Sequence, residues 1–472
     1  MLLPKDFSSY TRKLMGEELF SQFVEGLDSP SPVSVRLNPF KSAGEVLNPS
    51  MNARPVEWCQ HAYYLQKRPP FTMDPLLHSG AYYVQDASSM FIDQVLRNHV
   101  KQPVLMLDLC AAPGGKTTAA MSALPEGSVL VANEPMPLRA QILSENVQKY
   151  GHPDMVVTQN FPSDYLKTGM EFDVILADVP CSGEGMFRKD EGALREWSVQ
   201  HVSDSSRLQR EIIDAAWSML RPGGLFIYST CTFNSKENEE NVAWLMEHHD
   251  AIPLEIETES KWGITGSLVA DFNVPVYRFI PGVSEGEGLF MAVMRKSGEA
   301  ASQSKKNSKA DKRQKRQAKP SIPQYLSSWL KEEKDYSLRT IGDTIHAIPS
   351  RWEDYLEKMS SLKVIHAGVR LAKIKGKDHV PHHSLALSLA LRRDAFPTCE
   401  LNYTHAISYL RREAPILPPN TPSGYVLMTY KGHPLGFAKN LGTRSNNLYP
   451  QEWKIKSGHD TEEWSLLEPE PA

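Results

Sequence analysis

From Val104 onward, short apolar runs alternate with helix-like stretches, and this alternation constrains the fold more than any other feature of the chain. Val104-Leu105-Met106-Leu107-Asp108-Leu109 is apolar except for its acid, as a strand buried on both faces should be. A Gly-rich turn and a helix-like stretch, Thr117 to Leu124, follow. Then come Ser128 to Glu134, a helix to Tyr150, Met155 to Thr158, and Phe172 to Asp178. A helical segment from Ser205 to Leu220 is stopped by Arg221-Pro222-Gly223-Gly224, and Leu225 to Ser229 is the next strand. Leu289 to Met294 is expected to end the sheet. The pattern predicts an α/β, doubly wound, Rossmann-like core. In such sheets ligands sit at the carboxyl ends of the strands.

At 472 residues the chain is too long for one core. The organisation expected is a small α+β N-terminal domain of RNA-binding type over 1–80 and the Rossmann-like domain over 81–296. A basic, disordered linker over 297–320 follows, then a mixed and helical middle domain over 321–398 and a strand-rich tail over 399–472. The linker is rich in Lys, Ser, Gln and Ala, with almost no large apolar side chain to bury. It reads equally as a solvated spacer or as a phosphate-seeking tether. In the tail, Gly424 to Tyr430 and Leu435 to Lys439 flank Lys431-Gly432-His433-Pro434, which reads as a hairpin in a small β-barrel.

The formal net charge of −4 argues against capture of nucleic acid by the protein as a whole, but not against a local basic surface. The five cysteines are widely spaced, without zinc-like or disulfide-framework intervals, so no metal site is expected and a reducing compartment fits. The N-terminus lacks a signal peptide's apolar stretch, and no apolar run approaches the ~20 residues of a membrane helix. A cytoplasmic monomer with no membrane anchor is expected.

Two cysteines lie in matching phrases, each after a strand-like run. One is Asp178-Val179-Pro180-Cys181-Ser182-Gly183; the other is Tyr228-Ser229-Thr230-Cys231-Thr232-Phe233. If both runs lie in one sheet, both thiols face one crevice. A single strand-end Cys is more simply a small buried hydrophobe. Two of them, in polar phrases beside an Asp, point instead to covalent chemistry on an electrophilic ring. Methylation at C5 of cytosine needs such groups: a thiolate to add at C6, a group to manage charge at N3, and a base for elimination.

The turn Cys110-Ala111-Ala112-Pro113-Gly114-Gly115-Lys116 leaves a strand ending in Asp108 and enters a helix, where unpaired N–H groups await a ligand. Phosphate-loop and dinucleotide fingerprints are both absent. Glu134 ends the next strand, where an acid accepts hydrogen bonds from ribose hydroxyls. S-adenosylmethionine is therefore the preferred ligand over a dinucleotide.

At these residues the chain resembles the Sun family (NSUN-type) of RNA (cytosine-5) methyltransferases. Asp108 to Lys116, Asp178 to Gly183, and Tyr228 to Thr232 with Glu237-Asn238-Glu239 match its motifs in order, and Tyr83 to Ser89 extends the match. The resemblance implies that Cys231 attacks C6, that Cys181 assists release, and that Asp178 contacts the cytosine edge near the cofactor methionine. It implies a cofactor site built from Cys110, Ala111, Ala112, Pro113, Gly114, Gly115, Lys116, Glu134 and Asp178. Asn160 stands where the family usually has an Asp near the adenine. Arg139 and Asn146 also match, as packing and capping residues. Gly436 to Lys439, Asn446 to Pro450 and Trp453 to Ile455 are similar to the PUA-like tail of RsmF-type bacterial enzymes. Aromatics interleaved with Lys431, Lys439, Arg444 and Lys454 suit RNA contact. What this implies is S-adenosylmethionine-dependent formation of 5-methylcytosine in 16S rRNA near the decoding region, on free rRNA or the 30S subunit. The same chemistry on tRNA, and a non-catalytic RNA-binding assembly factor, remain as alternatives.

Overall fold

The computed structural model describes residues 3–298, 322–458 and 462–470. The expected linker falls outside them, apart from Ser297 and Gly298. The central sheet contains β1 (Leu105–Asp108), β2 (Val129–Asn133), β3 (Met155–Thr158), β4 (Phe172–Asp178), β5 (Leu220–Thr230), β6 (Ala251–Pro253), β7 (Tyr277–Phe279), β8 (Leu289–Lys296) and β9 (Val364–Ala367). Its order is β6-β8-β5-β4-β1-β2-β3-β9, with β7 also paired to β8. The five strands β1 to β5 are parallel, and β6, β7, β8 and β9 pair antiparallel. One expectation is corrected. β8 does not end the sheet, because β6 lies outside it on one edge and β9, from far downstream, on the other. Residues 321–398 are mixed: Tyr336–Ile341, Thr344–Pro349, Val369–Lys375 and Asp378–Pro381 form an antiparallel sheet, and short helices such as Glu353–Lys358 and His383–Leu387 lie between and after these strands. Alternation around the Gly342-Asp343 turn favours pairing over helix there.

Side chains along each parallel strand alternate between two core layers. Met106, Leu130, Val174 and Ile227 face one layer, with Ala119 and Ala120 of α1 (Gly115–Ala123) and Leu143 and Val147 of α2 (Pro137–Tyr150). Leu107, Val131, Ile175 and Phe226 face the other, with Ile212 and Trp217 of α3 (Val199–Met219) and Val242 and Leu245 of α4 (Glu239–His248). Helices on both faces make the sheet doubly wound. Its winding reverses between β1 and β4, and a crevice opens at the carboxyl ends of those two strands.

The N-terminal helix Lys5–Asp28 kinks at Gly16 and lays an aromatic face behind this crevice. Phe23 meets Phe233 at 4.8 Å between ring centroids, and Phe7 meets Phe187 at 5.0 Å. A four-stranded antiparallel sheet follows, and its last strand, Tyr82–Val84, comes from beyond residue 80. The tail sheet has the order Thr398–Glu400, Gly424–Tyr430, His433–Asn440, Ser445–Asn447. The predicted hairpin is present, with Lys431 and Gly432 at φ +46° and +74°, the backbone that a tight hairpin turn needs. N-terminal and tail sheets share one core, in which Val35, Leu37 and Tyr82 pack with Tyr409, Val426 and Leu466. Among the described residues no helix is long and apolar enough to cross a membrane.

Candidate active site

β4 and β5 are parallel neighbours, with Asp178 opposite Ser229. The chain leaves both strands at the same level, so Cys181 and Cys231 meet: their Sγ atoms are 3.1 Å apart, and both thiols are free. The hydrogen bond to Cys231 and then burial push the Cys181 thiol well above the usual cysteine value, so Cys181 keeps its proton. At the start of this pair, Ser229 Oγ donates to Asp178 Oδ1 at 2.6 Å and Lys116 Nζ donates to Asp178 Oδ2 at 2.9 Å. Burial alone would lower the Lys116 ammonium. The charge and hydrogen bond of Asp178, with Cys231 and Asp108 in electrostatic reach, outweigh it and lift Lys116 above the usual lysine value. Lys116 is thus a fixed cation between the carboxylates and the thiols.

Two buried glutamates join the cysteine loops reciprocally. Glu184, three residues after Cys181, accepts from Phe233 N at 2.6 Å, Asn234 N at 3.1 Å, Asn234 Nδ2 at 2.9 Å and Trp197 Nε1 at 3.0 Å. Glu237, six residues after Cys231, accepts from Ser182 N at 3.1 Å, Ser182 Oγ at 2.5 Å, Gln209 Nε2 at 2.7 Å and Asn234 Nδ2 at 2.9 Å. Each loop's acid therefore holds the other loop. Gly185 closes the approach: its N donates to Cys231 O at 2.7 Å, and a Cβ there would lie 2.4 Å from that oxygen. Sequence reasoning missed Glu184 altogether and quoted Glu237 only as part of a motif. The available signal was an acid placed three residues after one cysteine and six after the other.

The turn after β1 is held from both sides. Ala111 N donates to Asn133 O at 2.8 Å, Arg139 Nη2 to Ala112 O at 2.9 Å, and Asn146 Nδ2 to Pro113 O at 2.8 Å. Arg139 and Asn146 thus anchor the loop, the packing role expected of them. Cys110, Ala112, Lys116, Glu134, Asp178, Cys181 and Cys231 line one cavity of about 720 Å³, within the range of ordinary ligand sites. Ala111, Pro113, Gly114 and Gly115 shape the turn but do not line it. Gly114 has φ +111° and a Cβ there would lie 3.2 Å from Leu143 Cδ1, so protein rather than cavity demands this glycine. Asn160 does not line the cavity either. Its Oδ1 accepts from Lys363 N at 3.0 Å, which ties the amide to the downstream chain, while the next residue, Phe161, lines the cavity.

Glu134 and Asp178 line this end of the cavity, and Asp108 is fully buried within electrostatic reach of both. Burial, with Asp178 and Glu134 nearby, pushes Asp108 up to about 7, although a hydrogen bond from Thr117 opposes it. Asp108 Oδ1 is buried without a partner. Glu134 is 2% exposed, and its Oε1 accepts from Met136 N at 3.0 Å. Glu134 and Asp178 in the lining suit a ligand that is itself cationic and carries hydroxyls. S-adenosylmethionine, with its sulfonium, ammonium and ribose, fits that donor set. Among the described residues no cluster of side chains could hold a metal ion.

Three family models match in the expected order: the N-terminal domain of 16S rRNA methyltransferase RsmF over residues 3–87, 16S rRNA methyltransferase RsmB/F over 94–295, and the methyltransferase RsmF PUA domain over 396–455. Ribosomal RNA small subunit methyltransferase F of Enterobacter sp. (strain 638) is 30% identical over 474 residues, 96% of each chain. The chain belongs to the ribosomal RNA small subunit methyltransferase F family. The Escherichia coli O6:H1 protein of the same name is also 30% identical, over 95% of this chain and 96% of its own. A methyltransferase homologue from Pyrococcus horikoshii superposes with a TM-score of 0.53 at 25% identity, covering 62% of this chain and 95% of that one. NSun6 from the same organism, solved with SFG, has a TM-score of 0.52 at 19% identity over 63% and 99% of the two chains, which shows the shared fold. The family and the cavity agree: this is an RNA methyltransferase that uses S-adenosylmethionine.

Proposed function

We propose that the enzyme methylates C5 of cytosine in 16S ribosomal RNA through a covalent bond between Cys231 and C6. The observation that carries this reading is the Cys181–Cys231 pair, 3.1 Å apart, beside the Lys116–Asp178 pair on one cavity wall. S-adenosylmethionine supplies an electrophilic methyl carbon there.

Cys231 attacks C6 as the thiolate, forming the S–C6 bond. A thiolate at Cys231 accepts the Cys181 S–H and sits in the field of Lys116. The displaced π electrons leave C5 nucleophilic, with charge delocalised toward N3, and Asp178 holds the amino edge of the ring. C5 then forms its bond to the methyl carbon while that carbon's bond to the sulfonium sulfur breaks, and S-adenosylhomocysteine would be the leaving group. A base takes the C5 proton, the C5=C6 bond re-forms, and the Cys231 thiolate is expelled. Cys181, in contact with the leaving sulfur, assists that release. A base in a helix must be unstacked to reach this cavity.

Incubation with 16S rRNA carrying 5-fluorocytidine tests the reading. Fluorine cannot leave as the proton does, so the wild-type enzyme with S-adenosylmethionine should give a protein–RNA adduct that survives denaturation. Cys231→Ala should give none. An adduct formed by Cys231→Ala, or none with either protein while unmodified rRNA is still methylated, would overturn the covalent route.

A further inference from the structure

A second cleft, of about 730 Å³, opens where the outer face of α2 meets the C-terminal half of the chain. One wall is Pro137, Gln141 and Ser144 on α2; the opposite wall carries Lys363, Arg370 and Lys373. The cleft begins beside the catalytic cavity. Met136 and Phe161 line that cavity, while Pro137 lines the cleft one residue on and Gln159 two residues back.

The basic wall is fastened to the methyltransferase sheet. β9 pairs with β3, Gln159 N donates to Lys363 O at 2.9 Å, and Asn160 Oδ1 accepts from Lys363 N. Trp352 Nε1 donates to Asp154 Oδ1 at 2.9 Å and Arg351 pairs with the same carboxylate, which fixes the preceding turn. The Asn160 amide thus sets Lys363 at the junction of the two spaces.

The lining favours an anion. Of its acids, Glu145 is paired with Lys149 at 2.6 Å and Glu452 is exposed, while Lys373 reaches Asp343 of the adjoining recess at 3.2 Å, an exposed pair that a phosphate can compete for. His383 lines the cleft at 7% exposure, and neither of its ring nitrogens has a hydrogen-bond partner. It is wedged edge-on between Tyr449 and Trp453, and burial beside other cations keeps it neutral. An adjoining recess of about 330 Å³ shares Arg370, Lys373 and His382 with the cleft and contains His366, 2% exposed, whose Nδ1 is also unpartnered. Buried polar atoms without partners are few in folded proteins, and here two histidines have them in adjoining spaces.

We propose that this cleft holds the sugar–phosphate backbone of the RNA strand that carries the target cytosine. Lys363, Arg370 and Lys373 face its phosphates, and His383 and His366 meet phosphate or ribose oxygens. The proposal rests on reading the catalytic cavity as a cytosine site in RNA.

Lys363 and Lys373 are both exposed, so Lys363→Ala/Lys373→Ala should fold normally. Binding of a 16S rRNA transcript is measured across a salt series, with Lys13→Ala/Lys101→Ala, two exposed lysines outside the cleft, as the control. Each lost phosphate contact removes about 0.7 from the slope of log K against log salt for a single strand. The cleft variant should lose about 1.4 from that slope and raise KM for RNA about tenfold, with kcat and S-adenosylmethionine affinity unchanged. An unchanged slope and KM, or the same loss in the control, would overturn the proposal. A defect confined to 30S subunits and absent on the transcript would overturn it as well, because the cleft would then contact protein. If the wild type transfers no methyl to any RNA, it is the catalytic reading that fails, not the cleft.

Discussion

Cys181 Sγ lies 3.1 Å from Cys231 Sγ although 50 residues separate the two cysteines in sequence. The contact follows from adjacency: β4 and β5 run parallel, Val179 N donates to Ser229 O at 3.0 Å just past the paired ends, and Glu184 and Glu237 tie the two exits together. Each thiol has one task in the proposed cycle, and the tasks separate by mutation.

Cys181→Ala leaves the attacking sulfur in place and removes its neighbour. Addition and methyl transfer should proceed while release stalls. A denaturing gel with 16S rRNA and S-adenosylmethionine should show an RNA-linked band far stronger than for the wild type. Normal turnover without such a band would remove Cys181 from the release step.

Glu237→Gln sets an amide NH₂ among Ser182 N, Ser182 Oγ, Gln209 Nε2 and Asn234 Nδ2, all of which donate to the carboxylate. Unfolding should become easier by about 2 kcal/mol, the usual scale for a hydrogen bond to a buried charged group. Because the cysteine loops lose their brace, kcat should fall more than tenfold while S-adenosylmethionine affinity, measured by calorimetry, changes little. Equal losses in both would mean that Glu237 supports the fold as a whole.

Asp108 gives a pH signature. Its folded value, raised to about 7, lies above that of an unfolded aspartate. The folded state then binds the proton more tightly. The stabilisation from this group is complete below the unfolded value and is lost as pH rises toward about 7. Asp108→Asn cannot titrate. The stability difference between wild type and Asp108→Asn should therefore shift against the wild type between pH ~4 and ~7. A flat difference over that window, measured by chemical denaturation, would contradict a raised Asp108.

Lys116→Met keeps the stem and removes the charge opposite Asp178. Transfer should fall at least a hundredfold, while the protein stays folded on circular dichroism. Near-normal kcat would show that neither Asp178 nor a Cys231 thiolate depends on that cation.

Much of the catalytic half was legible in the sequence because buried parallel strands leave continuous apolar runs, and their polar ends mark the crevice. Leu105–Asp108, Phe172–Asp178 and the strand ending at Thr230 follow that rule, and they place Asp178, Cys181 and Cys231. Pairings decided at a distance were not legible. Ala251–Pro253 is too short to show a period, and Val364–Ala367 joins the sheet more than 200 residues after its partner β3. Tyr409 and Leu466 of the tail share a core with Val35 and Leu37, a long-range contact that no local pattern shows. The Asn160 amide bonds Lys363, a partner that no local pattern announces. Glu184 went unseen because a lone acid in a Gly-rich loop reads as solvated, and only the fold surrounds it with four donors.

Methyl transfer from labelled S-adenosylmethionine tests the central claim most directly, with wild type and Cys231→Ala each given 16S rRNA, 30S subunits and tRNA, and with the labelled nucleoside identified. The account predicts label in 5-methylcytosine from 16S rRNA or 30S subunits, none in tRNA, and none anywhere with Cys231→Ala. Label in tRNA alone, in a nucleoside other than 5-methylcytosine, or surviving in Cys231→Ala would contradict it.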